Sequence, residues 1–234
     1  MSSNPTAGRR RTLSLAGLIA VASATLVLAV SGAHEGHADT GHGHADAVAV
    51  SATTTAKQAK FQDAMRKLWE DHITWTRLAT VSFAHDLPDL PATEARLLRN
   101  QDDIGDAIKP YYGRAAGNQL TALLKEHIVG AVALLKAAKS GDQVTIKQRT
   151  DEWYANGNEI ADFLHKANPH HWPRRDLREM MKTHLDQTLE EATHRLQGNY
   201  AADIRDYERI HRHILEMADT LSAGIIAQFP RRFR

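Results

Sequence analysis

The sequence contains no cysteine, which excludes a disulfide framework, thiolate zinc sites, iron–sulfur clusters, c-type haem attachment and thiol catalysis. An excess of one charge is missing too. With residues 1–33 and their three Arg set aside, 26 Lys and Arg face 28 Asp and Glu, so the body lacks the basic balance that nucleic-acid binding requires. No nucleophile elbow, phosphate-cradling glycine loop or dinucleotide fingerprint occurs, so hydrolase or transferase chemistry has no motif behind it. Catalysis would need a metal with an open position to activate water, and no base for that role stands out; the chain is not read as an enzyme. What the sequence does hold in quantity is histidine, 14 in 234 residues. Without thiols, metal chemistry here falls to imidazole, carboxylate, amide or thioether ligands.

Arg9, Arg10 and Arg11 precede an apolar run from Leu13 to Val30, and Ser31, Gly32 and Ala33 supply the small residues of a cleavage site. Residues 1–33 therefore read as an export signal or, since the run approaches the ~20 residues that span a bilayer, as an uncleaved membrane anchor. Either places the body outside the cytoplasm, secreted or held on the outer face of the membrane. His34, His37, His42 and His44 follow within a stretch rich in Gly, Ala and Asp, which opens a low-complexity linker over residues 34–56. Such a tract gathers a borderline metal through neutral imidazoles, or serves only as a polar spacer.

From Lys57 onward, apolar residues recur at helical spacing with little β alternation, so the domain over residues 57–230 is expected to be an all-α bundle of about six helices. Helix 1 covers about 57–84, and Pro88 and Pro91 then forbid helix until Thr93 caps helix 2. Helix 2 ends near Lys109, ahead of Pro110 and Gly113. Helix 3 covers about 115–140, Gly141 closes it, and Asp142 caps helix 4, which continues to Ala167. Helices 5 and 6 cover about 174–196 and 200–228, with a turn at Gly198 and Asn199.

Internal repetition groups these segments in pairs. NQDDIGDAI from Asn100 matches NGNEIADFL from Asn156 at an offset of 56, and HILEMADTL from His213 continues the series. The preceding helices fall into step at His72, His127 and His184. The pattern reads as three helical hairpins, about 57–110, 114–167 and 174–228. Each carries one His on its first helix and a polar triplet on its second: Asn100, Asp103 and Asp106; Asn156, Glu159 and Asp162; His213, Glu216 and Asp219. His72, His127 and His184 each share a face with apolar residues and are expected in the core. Counting across the short turns sets His127 opposite Asn156 and His184 opposite His213.

A buried imidazole must satisfy two ring nitrogens, and two accounts meet that need. Each His hydrogen-bonds the Asn or acid of its own hairpin and fixes its register, or the set binds a metal ion or small polar ligand. For a metal, His184, His213, Met180 and Met217 form a soft set suited to copper, and His with Glu159 or Glu216 suits zinc. Arg77, a charge within an apolar helix, is a candidate to bind an anion or to pair with Asp103 or Asp106. Two E-x-x-H strings, Glu191 to His194 and Glu208 to His211, read as surface pairs, since antiparallel counting sets His194 near Asp203 rather than near His211. His170 and His171 fall in a loop.

LWEDHITWTRL, HDLPDLPAT followed by LLRN, WYANGNEIADFL and GIIAQFP, taken in order, resemble a family of uncharacterised, exported, all-helical bacterial proteins over about residues 65–230. The resemblance implies an extracytoplasmic helical domain and gives weight to His72, Arg77, Asn100, His127, Asn156 and His184, without supplying an activity. At the position of His213 that family carries an amide, so this chain departs from it there. The expectation is an extracytoplasmic protein that binds copper, zinc or a small polar ligand through a buried His, Asn and acid cluster. Its alternative is a non-enzymatic envelope structural or interaction protein whose core His only fix register.

Overall fold

The computed structural model describes residues 54–234. Over them the chain is all-helical: α1 (Ala56–Ala84), α2 (Leu90–Ser140), α3 (Gln143–Ala167), α4 (Arg174–Leu196) and α5 (Tyr200–Gln228), closed by a short 3-10 turn over Pro230–Phe233. The proposed export signal and His34, His37, His42 and His44 lie outside the described residues. Among the described residues no helix is long and apolar enough to cross a membrane.

Local chemistry accounts for most of the boundaries. Thr55 opens α1 through a reciprocal capping box with Gln58. Met65, Trp69, His72, Ile73, Ala79 and Phe83 then form a buried stripe along one face of the helix. Gly141 ends α2 at a φ of 75°, and the Asp142 carboxylate accepts from the N–H groups of Val144 and Thr145. Asn199 caps α5 through Ala202.

Two expectations fail at prolines. Helix resumes at Leu90 rather than at Thr93, because Pro91 sits in the first turn, where its missing N–H has no helical partner to lose. Thr93 is not the cap; its hydroxyl donates to the Leu90 carbonyl. Helix also runs through Pro110 instead of stopping before it, and the carbonyl freed there belongs to the exposed Asp106.

The interruption of α2 falls at Gly113, whose φ of 85° and ψ of 167° are not helical. There the chain turns back on itself. Lys125 pairs with Asp102 at 2.7 Å, the Thr121 hydroxyl lies 3.4 Å from the Gln101 carbonyl, and a Cβ on Gly117 would stand 2.6 Å from the Gly105 carbonyl oxygen. The helices neighbour one another in chain order, and α5 returns to pack on α1, so the ring closes. Ile73, Ile104, Ile160, Leu185, Ile210 and Ile214 fill its centre, almost wholly buried. Each such side chain contributes about 1.5–3 kcal/mol by leaving water.

Candidate functional site

Four helices send a histidine to the middle of the bundle. His72 (α1), His127 (α2) and His184 (α4) are buried, at 3%, 4% and 4% exposure; His213 (α5) is half-buried at the rim. The His184 ring is the hub: its centroid lies 5.9 Å from that of His72, 6.1 Å from that of His127 and 6.4 Å from that of His213.

Hydrogen bonds set the state of three of the four rings. The Asn156 amide donates to the Leu123 carbonyl at 3.2 Å, which turns its oxygen toward His127 Nδ1 at 3.0 Å. His127 therefore carries its proton on Nδ1 and keeps a lone pair on Nε2. At His72 the roles reverse. The Gln101 amide nitrogen, anchored to the Leu97 carbonyl at 2.8 Å, approaches His72 Nδ1 at 3.3 Å, so Nδ1 accepts there. Asn100, the partner suggested by the repeat, donates to the Leu68 carbonyl and accepts from Gln101. His213 donates from Nε2 to the Met180 carbonyl at 3.0 Å. His184 Nδ1 is buried without any hydrogen-bond partner.

Burial holds these rings neutral. It pushes His72 down to about 3, assisted by the neighbouring His127 and opposed by the hydrogen bonds from Gln101 and Asn100. It pushes His127 down to about 4 against the Asn156 bond. His184 is driven well below the ordinary imidazole value by burial and then by His72, His127 and His213 around it.

A cavity of about 30 Å³ lies against this layer, lined by His72, His127 and His184 together with Trp69, Met65, Met181, Met217 and aliphatic side chains. It holds two or three water-sized spheres, at roughly 10–15 Å³ each. Trp69 Nε1, also of this lining, is a second buried polar atom without a partner. A larger, apolar cavity of about 50 Å³ lies farther along α1 among Ala79, Phe83, Leu97, Ile128 and Trp153.

The acids expected beside the histidines are elsewhere. Glu159 and Glu216 are exposed, Asp103 and Asp106 pair outward with Arg96 and Lys109, Asp162 binds Arg174 and Arg178, and Asp219 binds Arg66. A step of three residues turns a helix back by about 60°, so the second and third members of each triplet leave the face that the first presents. Met180 is likewise off the lining, where its neighbour Met181 takes the place expected of it. Among the described residues, no three His, Asp or Glu side chains stand where they would hold a metal ion.

Arg77 meets neither Asp103 nor Asp106. Its guanidinium forms a fork with the buried Asp203 and donates to Glu191 at 2.7 Å, and Arg195 adds a further bond to Asp203 at 3.1 Å. Glu191, read from the sequence as a surface residue, is 2% exposed, and His194 meets Asp206 rather than Asp203. His211 and Glu208 do lie toward the surface, and His170 and His171 are in the exposed loop. Of the residues that sequence reasoning missed, Gln101 had the clearest signal, a polar residue between Leu97 and Ile104 on an apolar stripe. Comparison with family models, curated proteins and solved structures finds no match to this chain.

Proposed function

We propose that the bundle binds a small ligand, foremost a copper or zinc ion, in the cavity lined by His72, His127 and His184. The observation that carries this reading is the fully buried, unpartnered Nδ1 of His184, in a histidine layer that lines a small cavity together with His72 and His127. Leaving such a group unpaired costs about 1–3 kcal/mol, a penalty that a bound ion would remove. The Asn156 bond to His127 Nδ1 supports it, because a ligating imidazole is commonly held by a hydrogen bond at its other nitrogen.

In this reading the bundle descends from three repeated hairpins, the reversal of α2 at Gly113 dividing the first from the second. Duplication then brought the equivalent histidines together. The chain is exported by residues 1–33, and His34, His37, His42 and His44 collect the ion outside the cytoplasm.

The test uses the full chain with those four N-terminal His replaced by Ala, dialysed to equilibrium against Cu(I) or Zn(II). One ion per chain is expected, lost in His184→Ala while far-ultraviolet circular dichroism stays helical. Binding of neither ion, or unchanged binding in His184→Ala, overturns the reading. The hydrogen bonds of His72 to Gln101 and of His127 to Asn156 favour the second reading, an envelope structural or interaction protein whose histidines pin helix register, and that result would leave it standing.

A further inference from the structure

We propose that the occupant of the cavity is Cu(I), held by the imidazoles of His127 and His184 with thioether sulfur from Met65, Met181 or Met217. This rests on the ligand-binding reading above and adds the oxidation state and the sulfur donors. Three features of the lining lead to it.

The first is charge. Every polar side chain facing the cavity is neutral, and no carboxylate is among them. Of the acids singled out in the sequence, Glu191 is engaged by Arg77, and Glu159 and Glu216 are exposed. The cost of burying an ion rises with the square of its charge, so a dication without a carboxylate pays about four times what a monocation pays. Hard and borderline dications are therefore disfavoured.

The second is donor softness. Three methionines share one small cavity with the imidazoles, and thioethers select Cu(I) over zinc. Met at helical spacing also serves as core filler, but here Met65, Met181 and Met217 line the same small cavity as the imidazoles.

The third is spacing. A bond of about 2 Å from ring nitrogen to ion, with the nitrogen roughly 1.1 Å from its ring centre, allows two rings sharing one ion a centroid separation of at most about 6.2 Å. His127 and His184, at 6.1 Å, approach that limit, as two rings on opposite sides of one ion do. Cu(I) accepts such near-linear pairs, whereas tetrahedral zinc draws them closer. His213, at 6.4 Å from His184, lies beyond the limit, and its Nε2 is given to the Met180 carbonyl.

The test is an anaerobic competition of the full chain, lacking the four N-terminal His, against bicinchoninate for Cu(I), beside a Zn(II) titration. Expected are one Cu(I) per chain, an X-ray absorption edge fitted by nitrogen and sulfur neighbours, and about a 10-fold or greater loss of affinity in the Met65→Leu, Met181→Leu, Met217→Leu triple variant. Those substitutions conserve volume, so the fold should survive them. A Zn(II) site of equal stoichiometry with Cu(I) bound no more tightly overturns the copper assignment and leaves ligand binding intact. A nitrogen-only shell unaffected by the triple variant overturns the sulfur donors. Binding of neither ion overturns this inference and the reading beneath it together.

Discussion

Arg77 is shared by two buried carboxylates that end in different states. Asp203 also receives Arg195, and those bonds hold it below the ordinary carboxylate value despite its burial. Glu191 has only Arg77, and burial pushes it up to about 7 even so, with Asp203 and Asp206 adding repulsion. An acid whose folded value is raised favours the native state fully below its unfolded value of about 4.5 and loses that advantage as pH rises toward 7. The difference amounts to roughly 3 kcal/mol at most. Glu191→Gln, which cannot ionise, should therefore gain several degrees in Tm relative to the parent between pH 4.5 and pH 7.5. A Tm difference that stays level across that window would refute the assignment. At this scale the sequence was only partly legible. The apolar faces around His72, His127 and His184 were visible as spacing, and so was the opposition of His127 and Asn156. The partners of Arg77 were not, because they come from helices more than a hundred positions away, and Met181 was confused with Met180, one residue and 100° of helix apart.

At the scale of elements, helix ends were readable wherever one residue dictates the backbone. Asp142 caps, and Gly141 and Gly198 turn, where their chemistry says they should. Proline misled in both directions, since its effect depends on whether the missing N–H would have had a partner. Gly113 is the decisive residue of α2. Its backbone lies in a region that side chains with a Cβ essentially never occupy, yet a Cβ there would meet nothing within 4 Å. Gly113→Ala should therefore lose about 1–3 kcal/mol from backbone strain alone, read as a lower urea midpoint with an unchanged m-value. Gly141→Asn, at a left-handed position that Asn accepts, should cost far less. If the two variants match, the reversal is not maintained by the Gly113 conformation.

Across the whole molecule, the seam between the first and last helices completes the ring. Arg66 forks onto Asp219, the Thr55 hydroxyl donates to the Phe233 carbonyl at 2.7 Å, and Phe61 packs against Phe233 and Tyr111. Removal of residues 229–234 takes away Phe229 and the buried Phe233 and should destabilise the bundle by about 3–5 kcal/mol, visible as a lower denaturant midpoint; an unchanged midpoint would show that the seam holds without them. Sequence counting reached the pairing of His127 with Asn156 but not this closure, since short turns fix neighbours in the chain while contact between its ends is a property of the assembled core.

The histidine layer draws on both sides of that seam, His72 from α1 and His213 from α5, with His127 from α2 and His184 from α4 completing it. No two consecutive helices contain it. An ion held there has no loop to swing aside and leaves only when helices part, so its residence time would be set by how often the bundle opens. Substitutions remote from the cavity that merely loosen the seam would then shorten retention while leaving every ligand in place.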